Sequence, residues 1–586
     1  MGKYDLDTLR HSTAHLMAQA IQELYPTETV KLGIGPTIEN GFYYDIDLKT
    51  RIQDEDLKNI EKKMKEIIKR GDKITRHEVA REEALKIFAE RGQEYKIELI
   101  NDLPESEVIS YYTQGEHFID LCRGPHVETT KELNFNFKLL HTAGAYWRGD
   151  EKRPMLQRIY AACFDSKEQL KEHLNFLEEA KKRDHRKLGK ELDLFLFDPA
   201  APGSPFFEPK GTIIYNELVE FMRRIYQRFD YKEVITPQVL DVNLWKTSGH
   251  YENYSDDMFF TEDDHKEMAV KPMNCPCHML MYKHKQYSYR DLPLRFADFG
   301  RLHRNERSGT LAGLTRVRTF CQDDAHVFID KNEIQEEISK LLKMFDICYK
   351  HFGFKNIKIG LSTRPEKKVG ADEDWDIAEK ALKQALDNSE YDYHINVGDG
   401  AFYGPKIDVQ ISDAIGRFYQ LGTVQLDFQL PERFDLKFKN KEGIEERPVV
   451  LHRALLGSLE RFFGVYLEHC AGVFPFWLAP EQIVIVPVNN EAHAEYALKV
   501  EKLLKKLNVR CRTDLSNETL GKKTRTIQKS KVPFMLVLGD KEVEAQTVAM
   551  RAYGSKITNS LSLKELESHV TKLNEEKIPA KLREDI

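Results

Sequence analysis

Residues 304–326 read Arg304-Asn-Glu306-Arg-Ser-Gly-Thr-Leu-Ala-Gly-Leu-Thr-Arg316-Val-Arg-Thr-Phe320-Cys-Gln322-Asp-Asp324-Ala-His326, and no other run constrains the chain as tightly. The pattern predicts a strand, a glycine-bearing loop and a return strand. One end carries an arginine and an acid. The other carries a second arginine, an aromatic ring, acids and a histidine. Such a hairpin can hold a polyanion and a small zwitterion together. Arginine binds phosphate bidentately, phenylalanine offers a face to a purine, and a carboxylate binds an ammonium group. The competing reading is a solvated charged hairpin; the ordering of both charge signs around one turn argues against it.

A chain of 586 residues is long enough for roughly three or four domains, each with its own core. With 41% hydrophobic and 31% charged residues, and no apolar run of membrane-spanning length, it belongs with soluble proteins. Its start, Met-Gly-Lys-Tyr-Asp-Leu, lacks a secretory apolar segment, and Leu6 does not suit myristoylation. Eight scattered cysteines argue against a disulfide scaffold and for a reducing compartment, so the expected location is the cytoplasm. A net charge of −7 gives no global reason to expect nucleic acid. Two local basic blocks, Lys181–Lys190 and Gly521–Lys531, could still bind a phosphate backbone or could be solvated helix faces.

No internal repeat or low-complexity tract interrupts the chain. Residues 1–163 mix helices (7–24, 54–70, 81–91) with short glycine-punctuated strands such as Gly41-Phe-Tyr-Tyr-Asp45, an α+β pattern. From Ser166 to Leu192, Leu170, Leu174, Leu177 and Ala180 recur at helical spacing and predict a long connecting helix. The cluster Asp198-Pro-Ala-Ala-Pro-Gly-Ser-Pro marks a boundary, and Trp477-Leu-Ala-Pro480 marks another. Between them strands recur among amphipathic helices. After them Ile483-Val-Ile-Val-Pro-Val488 opens a strand–helix–strand–helix–strand order, predicting a small separate α/β domain with parallel strands.

Within 193–477 three landmarks stand in order: Pro237 in Val234-Ile-Thr-Pro-Gln, Arg304-Asn-Glu306 with Phe320, and Gly457-Ser-Leu-Glu-Arg461-Phe. Around them lie Lys271-Pro-Met-Asn-Cys275-Pro-Cys-His, Gln322-Asp-Asp-Ala-His326, Gly400-Ala-Phe-Tyr403-Gly-Pro-Lys406 and Leu451-His452-Arg-Ala. Together these resemble the class II aminoacyl-tRNA synthetases, and among them the threonyl-tRNA synthetase family, from about residue 7 to the end. The resemblance implies an antiparallel-sheet catalytic core (193–477), an N-terminal α+β editing domain (1–163), a linker helix (164–192) and a C-terminal α/β anticodon-binding domain (478–586).

The resemblance also implies roles. Arg304 and Arg461 would grip the phosphates of ATP, Glu306 would bind the adenine amino group, and Phe320 would stack on the ring. Arg316 would hold the γ-phosphate, Gln420 would help at the nucleotide, and Lys406 and Ser458 would belong to the catalytic and substrate-binding sets. Mg²⁺ would accompany ATP while the carboxylate of L-threonine attacks the α-phosphorus, so catalysis would be positioning and electrostatics. Cys275, His326 and His452 resemble ligands for one Zn²⁺ per subunit, a donor set zinc favours. Asp324 would take the ammonium group of threonine, and Met273, Gln322 and Tyr403 would shape its pocket. An apolar pocket separates threonine from valine poorly, whereas a site that must engage a hydroxyl rejects valine strongly. Serine keeps the hydroxyl, so a second sieve is expected.

His11-Ser-Thr-Ala-His15 puts two imidazoles on one helix face, and Asp120-Leu-Cys122-Arg-Gly-Pro-His126 supplies a thiol and a third histidine. Spacing alone suggests a four-ligand zinc site, or histidines that merely pack. The resemblance instead implies editing without a catalytic metal, in which the imidazoles and Asp120 position water and protons and Lys96 contacts seryl-tRNA(Thr). In the tail, Asn517, Lys531, Glu542 and Arg551 fall where the family contacts anticodon bases. A homodimer that binds tRNA(Thr) and no membrane is implied throughout.

Three departures accompany the resemblance. The chain starts almost directly at the first helix of the editing domain, without the family's small ubiquitin-like domain. Cys277 stands where a glycine is usual, and Ala312 where a histidine is usual in the loop. Two rival readings are weaker. A non-catalytic RNA-binding relative has no chemical need for Arg304, Glu306, Arg461 and three metal ligands, and a plain metallohydrolase built on His11, His15, Cys122 and His126 leaves most of the chain unexplained.

Overall fold

Asp5 accepts the backbone N–H of Thr8 at 2.7 Å and so starts the first helix, Leu6–Leu24. The computed structural model describes residues 3–263 and 265–579, and the chain divides into two units, Met1–Glu178 and Glu179–Ile586.

In the first unit the helix Leu6–Leu24 packs on a five-stranded antiparallel sheet built around Gly41–Asp47, Met155–Cys163 and Phe137–Tyr146. Period-two alternation explains the packing: Phe42, Tyr44 and Ile46 are each at most 1% exposed. A second, three-stranded sheet joins Ile74–Val79, Ile109–Gln114 and Phe118–Leu121, all antiparallel, and its last strand delivers Asp120. Helices at Leu57–Arg70 and Arg81–Glu90 bear out the α+β expectation.

The expected long connecting helix is two. Lys167–Arg183 ends at Asp184, which leaves the helical region (φ −48°, ψ 120°) and caps a new helix, His185–Glu191, by accepting from Arg186 N at 2.8 Å. An acid immediately before the second helix is favoured as a cap over a helix interior position, and that competition breaks the run.

The second unit is organised by a nine-stranded sheet. Its centre is antiparallel: Leu294–Asp298, Thr319–Ile329, Val449–Ser458, Phe418–Asp427, Lys406–Ser412 and Ile357–Ser362 lie side by side in that order. Short parallel strands, Lys232–Glu233 and Tyr393–Asn396, close its two edges. The helices Pro209–Arg228, Ile334–His351 and Leu459–His469 contribute to one large apolar core with this sheet.

At the C-terminal end, Ile483–Pro487 pairs in parallel with Cys511–Thr513 and Phe534–Leu538, as expected. Two further strands, Thr547–Ala552 and Thr558–Ser562, extend the sheet antiparallel. The outermost is polar and largely exposed, so no apolar alternation announced it. This sheet has its own apolar core, yet it is tied to the rest of its unit. Arg510 reaches Glu217 at 2.6 Å and donates to the carbonyls of Trp477 and Ala479 at 2.6 and 2.9 Å.

Candidate active site

The strand Thr319–Ile329 organises the site. Side chains two apart share a face, so Gln322, Asp324 and His326 point one way and Asp323 the other. The partner strand bulges between Ser458 and Ala454, opposite Gln322 and Asp324. Asp323, fully buried, accepts all three backbone N–H groups of that bulge, Leu455, Leu456 and Gly457, at 2.8, 3.1 and 2.9 Å. Arg453 donates to the carbonyl of Asp323 at 2.7 Å. The bulge delivers Ser458, whose Oγ accepts from Arg461 N at 3.0 Å and caps the helix Leu459–His469.

Cys275, His326 and His452 each bring one ligand atom to within 4.8 Å of the others, and all three are buried. His452 Nε2 lies 2.8 Å from Asp427 Oδ2. His326 Nδ1 lies 2.8 Å from His278 Nδ1, and His278 Nε2 faces Asp298 at 3.8 Å. A carboxylate accepts only, so His452 carries its proton on Nε2 and leaves the lone pair of Nδ1 free, whereas His278 Nε2 is too far from Asp298 for a hydrogen bond. His326 Nε2 and His452 Nδ1 meet at 3.0 Å beside the Cys275 thiol. Two imidazole nitrogens and a sulfur brought this close fit a borderline-soft divalent ion such as zinc. Burial lowers the pKa of His326 and raises that of the Cys275 thiol. Fully buried Lys271 backs Asp298 at 3.6 Å and donates to Thr236 Oγ1 at 2.7 Å.

Around this centre Asp324 accepts from Asn274 Nδ2 at 3.2 Å, and burial raises its pKa. Met273 Sδ meets His250 Nε2 at 3.1 Å. The Tyr403 ring lies 5.2 Å from that of His452, with its hydroxyl on Gln425. Farther along, Arg304 stands over the Phe320 ring at 5.0 Å and the Tyr254 ring at 5.6 Å. Glu306 pairs with Arg316 at 2.9 Å. Arg461 keeps a buried Nε with no hydrogen-bond partner among the described residues, and burial lowers its pKa. Lys406 and Gln420 converge on Asp408 at 3.0 and 2.6 Å.

The N-terminal residues also come together. The Cys122 thiol lies 3.2 Å from both His11 Nε2 and His126 Nε2. Asp120 receives Lys96 at 2.6 Å, His15 Nε2 at 3.3 Å and the Tyr44 hydroxyl. Ser12 Oγ bonds His126 Nδ1 at 3.0 Å. Burial lowers the pKa of His11, His15 and His126 and pushes the Cys122 thiol up to about 12. His11, His15, Cys122 and His126 could also hold a metal ion, since their ligand atoms all lie within 4.8 Å of one another.

The four C-terminal residues share no hydrogen bond. Asn517 is exposed, Glu542 accepts from Gly539 N at 2.9 Å, and Arg551 donates to the carbonyl of Ser555 at 2.6 Å. Lys531 is half-buried, which lowers its pKa, and its ammonium donates to the carbonyl of Ala471.

Sequence reasoning did not assign His278, Asp298, Asp427, Asp323 or Tyr44. His278 stands within the quoted Asn-Cys-Pro-Cys-His run, three residues after Cys275 and so one helical turn on, which was a usable signal. Asp427, far along the chain from His452, gave none.

Three family models match the chain: the tRNA synthetase class II core domain (G, H, P, S and T) over residues 259–470, an anticodon binding domain over 482–573, and the threonyl and alanyl tRNA synthetase second additional domain over 109–160. The threonine–tRNA ligase of Clostridium botulinum (strain Kyoto / Type A2) is 52% identical over 96% of this chain and 88% of its own length. That of Acetivibrio thermocellus is 51% identical over 97% and 88%. Among solved structures, the RNA binding domain of threonyl-tRNA synthetase from Cryptosporidium parvum Iowa II matches 68% of this chain and 100% of its own, at 45% identity and a TM-score of 0.66. Identity at this level over nearly the whole chain, with all three domain models in order, means that the chain belongs to the threonine–tRNA ligases.

Proposed function

We propose that this chain joins L-threonine to tRNA(Thr) through a threonyl-adenylate and hydrolyses seryl-tRNA(Thr) formed in error. The observation that carries the reading is the convergence of Cys275, His326 and His452 near half-buried Asp324, on the same strand as Gln322. Zinc held by those three side chains would supply a Lewis acid that selects a hydroxyl-bearing amino acid. Asp324 holds the ammonium group, and Met273, Gln322 and Tyr403 bound the pocket. ATP arrives with Mg²⁺; Phe320 carries the purine, Arg304 and Arg461 take phosphates, and Glu306 takes the adenine amino group. Arg316 exchanges its Glu306 partner for phosphate as the nucleotide enters. Lys406 and Gln420, held by Asp408, and Ser458, at the start of the Arg461 helix, complete the site. These groups orient carboxylate and α-phosphorus and stabilise developing charge; none of them forms a bond to the substrate.

Serine passes the hydroxyl test and lacks only a methyl group, a difference of about 1–3 kcal/mol. The N-terminal cluster is the second sieve. Neutral His11, His15 and His126, with Asp120 and Lys96, position water and move its proton onto the leaving tRNA hydroxyl, with no catalytic metal. The domain boundaries 1–163, 164–192, 193–477 and 478–586 follow this division of labour. Asn517, Lys531, Glu542 and Arg551 read the anticodon, Lys531 on leaving Ala471. The helix Pro209–Arg228 and the exposed Ile235 and Val239 beyond it, 91% and 45% accessible, suit a homodimer interface. Eight free cysteines suit the cytoplasm, and no helix among the described residues is long and apolar enough to cross a membrane.

The test is charging of tRNA(Thr) with labelled threonine, run beside deacylation of separately prepared seryl-tRNA(Thr). Threonyl-tRNA formation and rapid serine release are expected. Absence of charging removes the ligase reading, and a stable seryl ester removes the editing one.

A further inference from the structure

The basic block 181–190 has no part in the chemistry above. Within it His185 is 5% exposed and makes three hydrogen bonds. Its Nε2 accepts the backbone N–H of Leu314 at 2.9 Å. Its Nδ1 lies 2.6 Å from Glu468 Oε1, which also accepts the backbone N–H of His185 at 2.9 Å. A ring that accepts at Nε2 carries its proton on Nδ1, so Glu468 fixes the tautomer that can hold Leu314. Burial works against charge on Glu468, but its bonds with His185 and the Arg417 charge outweigh that, and its pKa lies below the usual range.

The neighbouring sequence is shaped to this contact. Gly313 has φ +53°, and a Cβ there would come within 2.2 Å of His185 Nε2. A Cβ on Gly464 would press on Leu314 Cβ at 3.1 Å and His185 Cδ2 at 3.5 Å. Leu314 itself is fully buried. It stands two residues before Arg316, in the loop whose arms carry Glu306 and Phe320. Nearby, Arg183 donates to the carbonyls of Glu468 and His469 at 3.3 and 3.0 Å, where a cation suits the C-terminal end of the Leu459–His469 helix.

We infer that His185 is a positioning residue for ATP binding: by holding Leu314 it fixes the return arm of the loop that presents Arg316 and Glu306. The inference rests on the reading of residues 304–320 as the nucleotide site. It joins the linker, which the domain scheme treats as a spacer, to the reaction itself.

Two substitutions separate the two ends of the ring. In His185→Asn the amide reaches Glu468 only, leaving the Leu314 N–H without an acceptor. In His185→Gln the longer side chain places its oxygen near the Nε2 position and restores the Leu314 bond. ATP KM and kcat are measured in threonine-dependent pyrophosphate exchange, and trypsin cleavage after Arg307, Arg316 and Arg318 is timed on the full chain without ligands. His185→Asn should raise the ATP KM about tenfold, the factor expected for one lost buried hydrogen bond, with faster loop cleavage and little change in threonine KM. His185→Gln should return both readouts to within about threefold of wild type. Equal values for the two variants, or loop cleavage unchanged in His185→Asn, overturns the proposal. If His185→Asn does not fold, Gly313→Ala, which drives a Cβ at the ring from the loop side, must raise the ATP KM, and an unchanged KM overturns the proposal equally. Absence of exchange in the wild type would instead overturn the nucleotide-site reading, while the cleavage comparison still decides whether His185 holds the loop.

Discussion

His326 Nε2 and His452 Nδ1 face each other across 3.0 Å beside the Cys275 thiol. On their far sides His326 Nδ1 meets His278 Nδ1 at 2.8 Å and His452 Nε2 meets Asp427 Oδ2 at 2.8 Å. Under the zinc reading proposed above, Asp427 orients the His452 ligand without itself binding the ion.

The Asp427 carboxylate is split between two tasks. Its Oδ1 caps Gln429 N and Leu430 N at 2.7 and 3.0 Å, and its Oδ2 holds His452. In Asp427→Asn the backbone keeps the oxygen and the amide turns an N–H toward His452 Nε2. That forces the proton onto Nδ1, where it blocks ligation. Zinc affinity should fall by about 10- to 100-fold, measured by competition with a chromophoric chelator, with the fold retained by circular dichroism.

Cys277 is two residues from Cys275 but is not among the converging ligand atoms. It is buried beside Lys271, Thr236 and Asp298. Cys275→Ser should abolish zinc retention through dialysis, and Cys277→Ser should keep one zinc per chain by elemental analysis. Loss of metal from both variants would make Cys277 a ligand.

Asp120 gathers Lys96, His15 and Tyr44. Asp120→Asn should slow seryl-tRNA(Thr) deacylation at least about 100-fold, as expected for removing a group that positions proton transfer, and leave threonine activation unchanged.

The three histidines beside Asp120 give a pH dependence of stability. Burial holds their folded pKa values below the ordinary range. The unfolded chain takes up protons near pH 6.5 that the folded unit refuses, so their contribution is constant above about pH 6.5 and turns against folding below it. Thermal melts of the full chain should show the transition of the first unit falling as pH drops from 6.5 to 5, and His15→Phe should flatten that slope.

Much of this site was legible from residue order. In the run 304–326 the loop and the return strand Thr319–Ile329 were legible, but the first strand, Arg301–His303, ends before the run begins, so Arg304 and Glu306 stand in the loop and not on a strand. Cys275, His326 and His452 were legible only through resemblance, since no local spacing links them; strand pairing places His326 opposite His452, and the sequence does not encode register visibly. The break at Asp184 was missed because apolar spacing continues across it, and a capping acid reads as ordinary surface charge. Thr558–Ser562 was missed because an exposed edge strand needs no apolar face. Lys531 was placed by resemblance alone, and its bond to Ala471 depends on how the C-terminal sheet packs within its unit.

The most direct test of the account is threonine-dependent ATP–pyrophosphate exchange, with serine and valine as comparators, before and after zinc is stripped and restored. The account predicts strong exchange with threonine, weak exchange with serine, none with valine, loss on stripping and recovery with zinc. Threonine exchange that survives complete zinc removal, or valine exchange near the serine level, would contradict it.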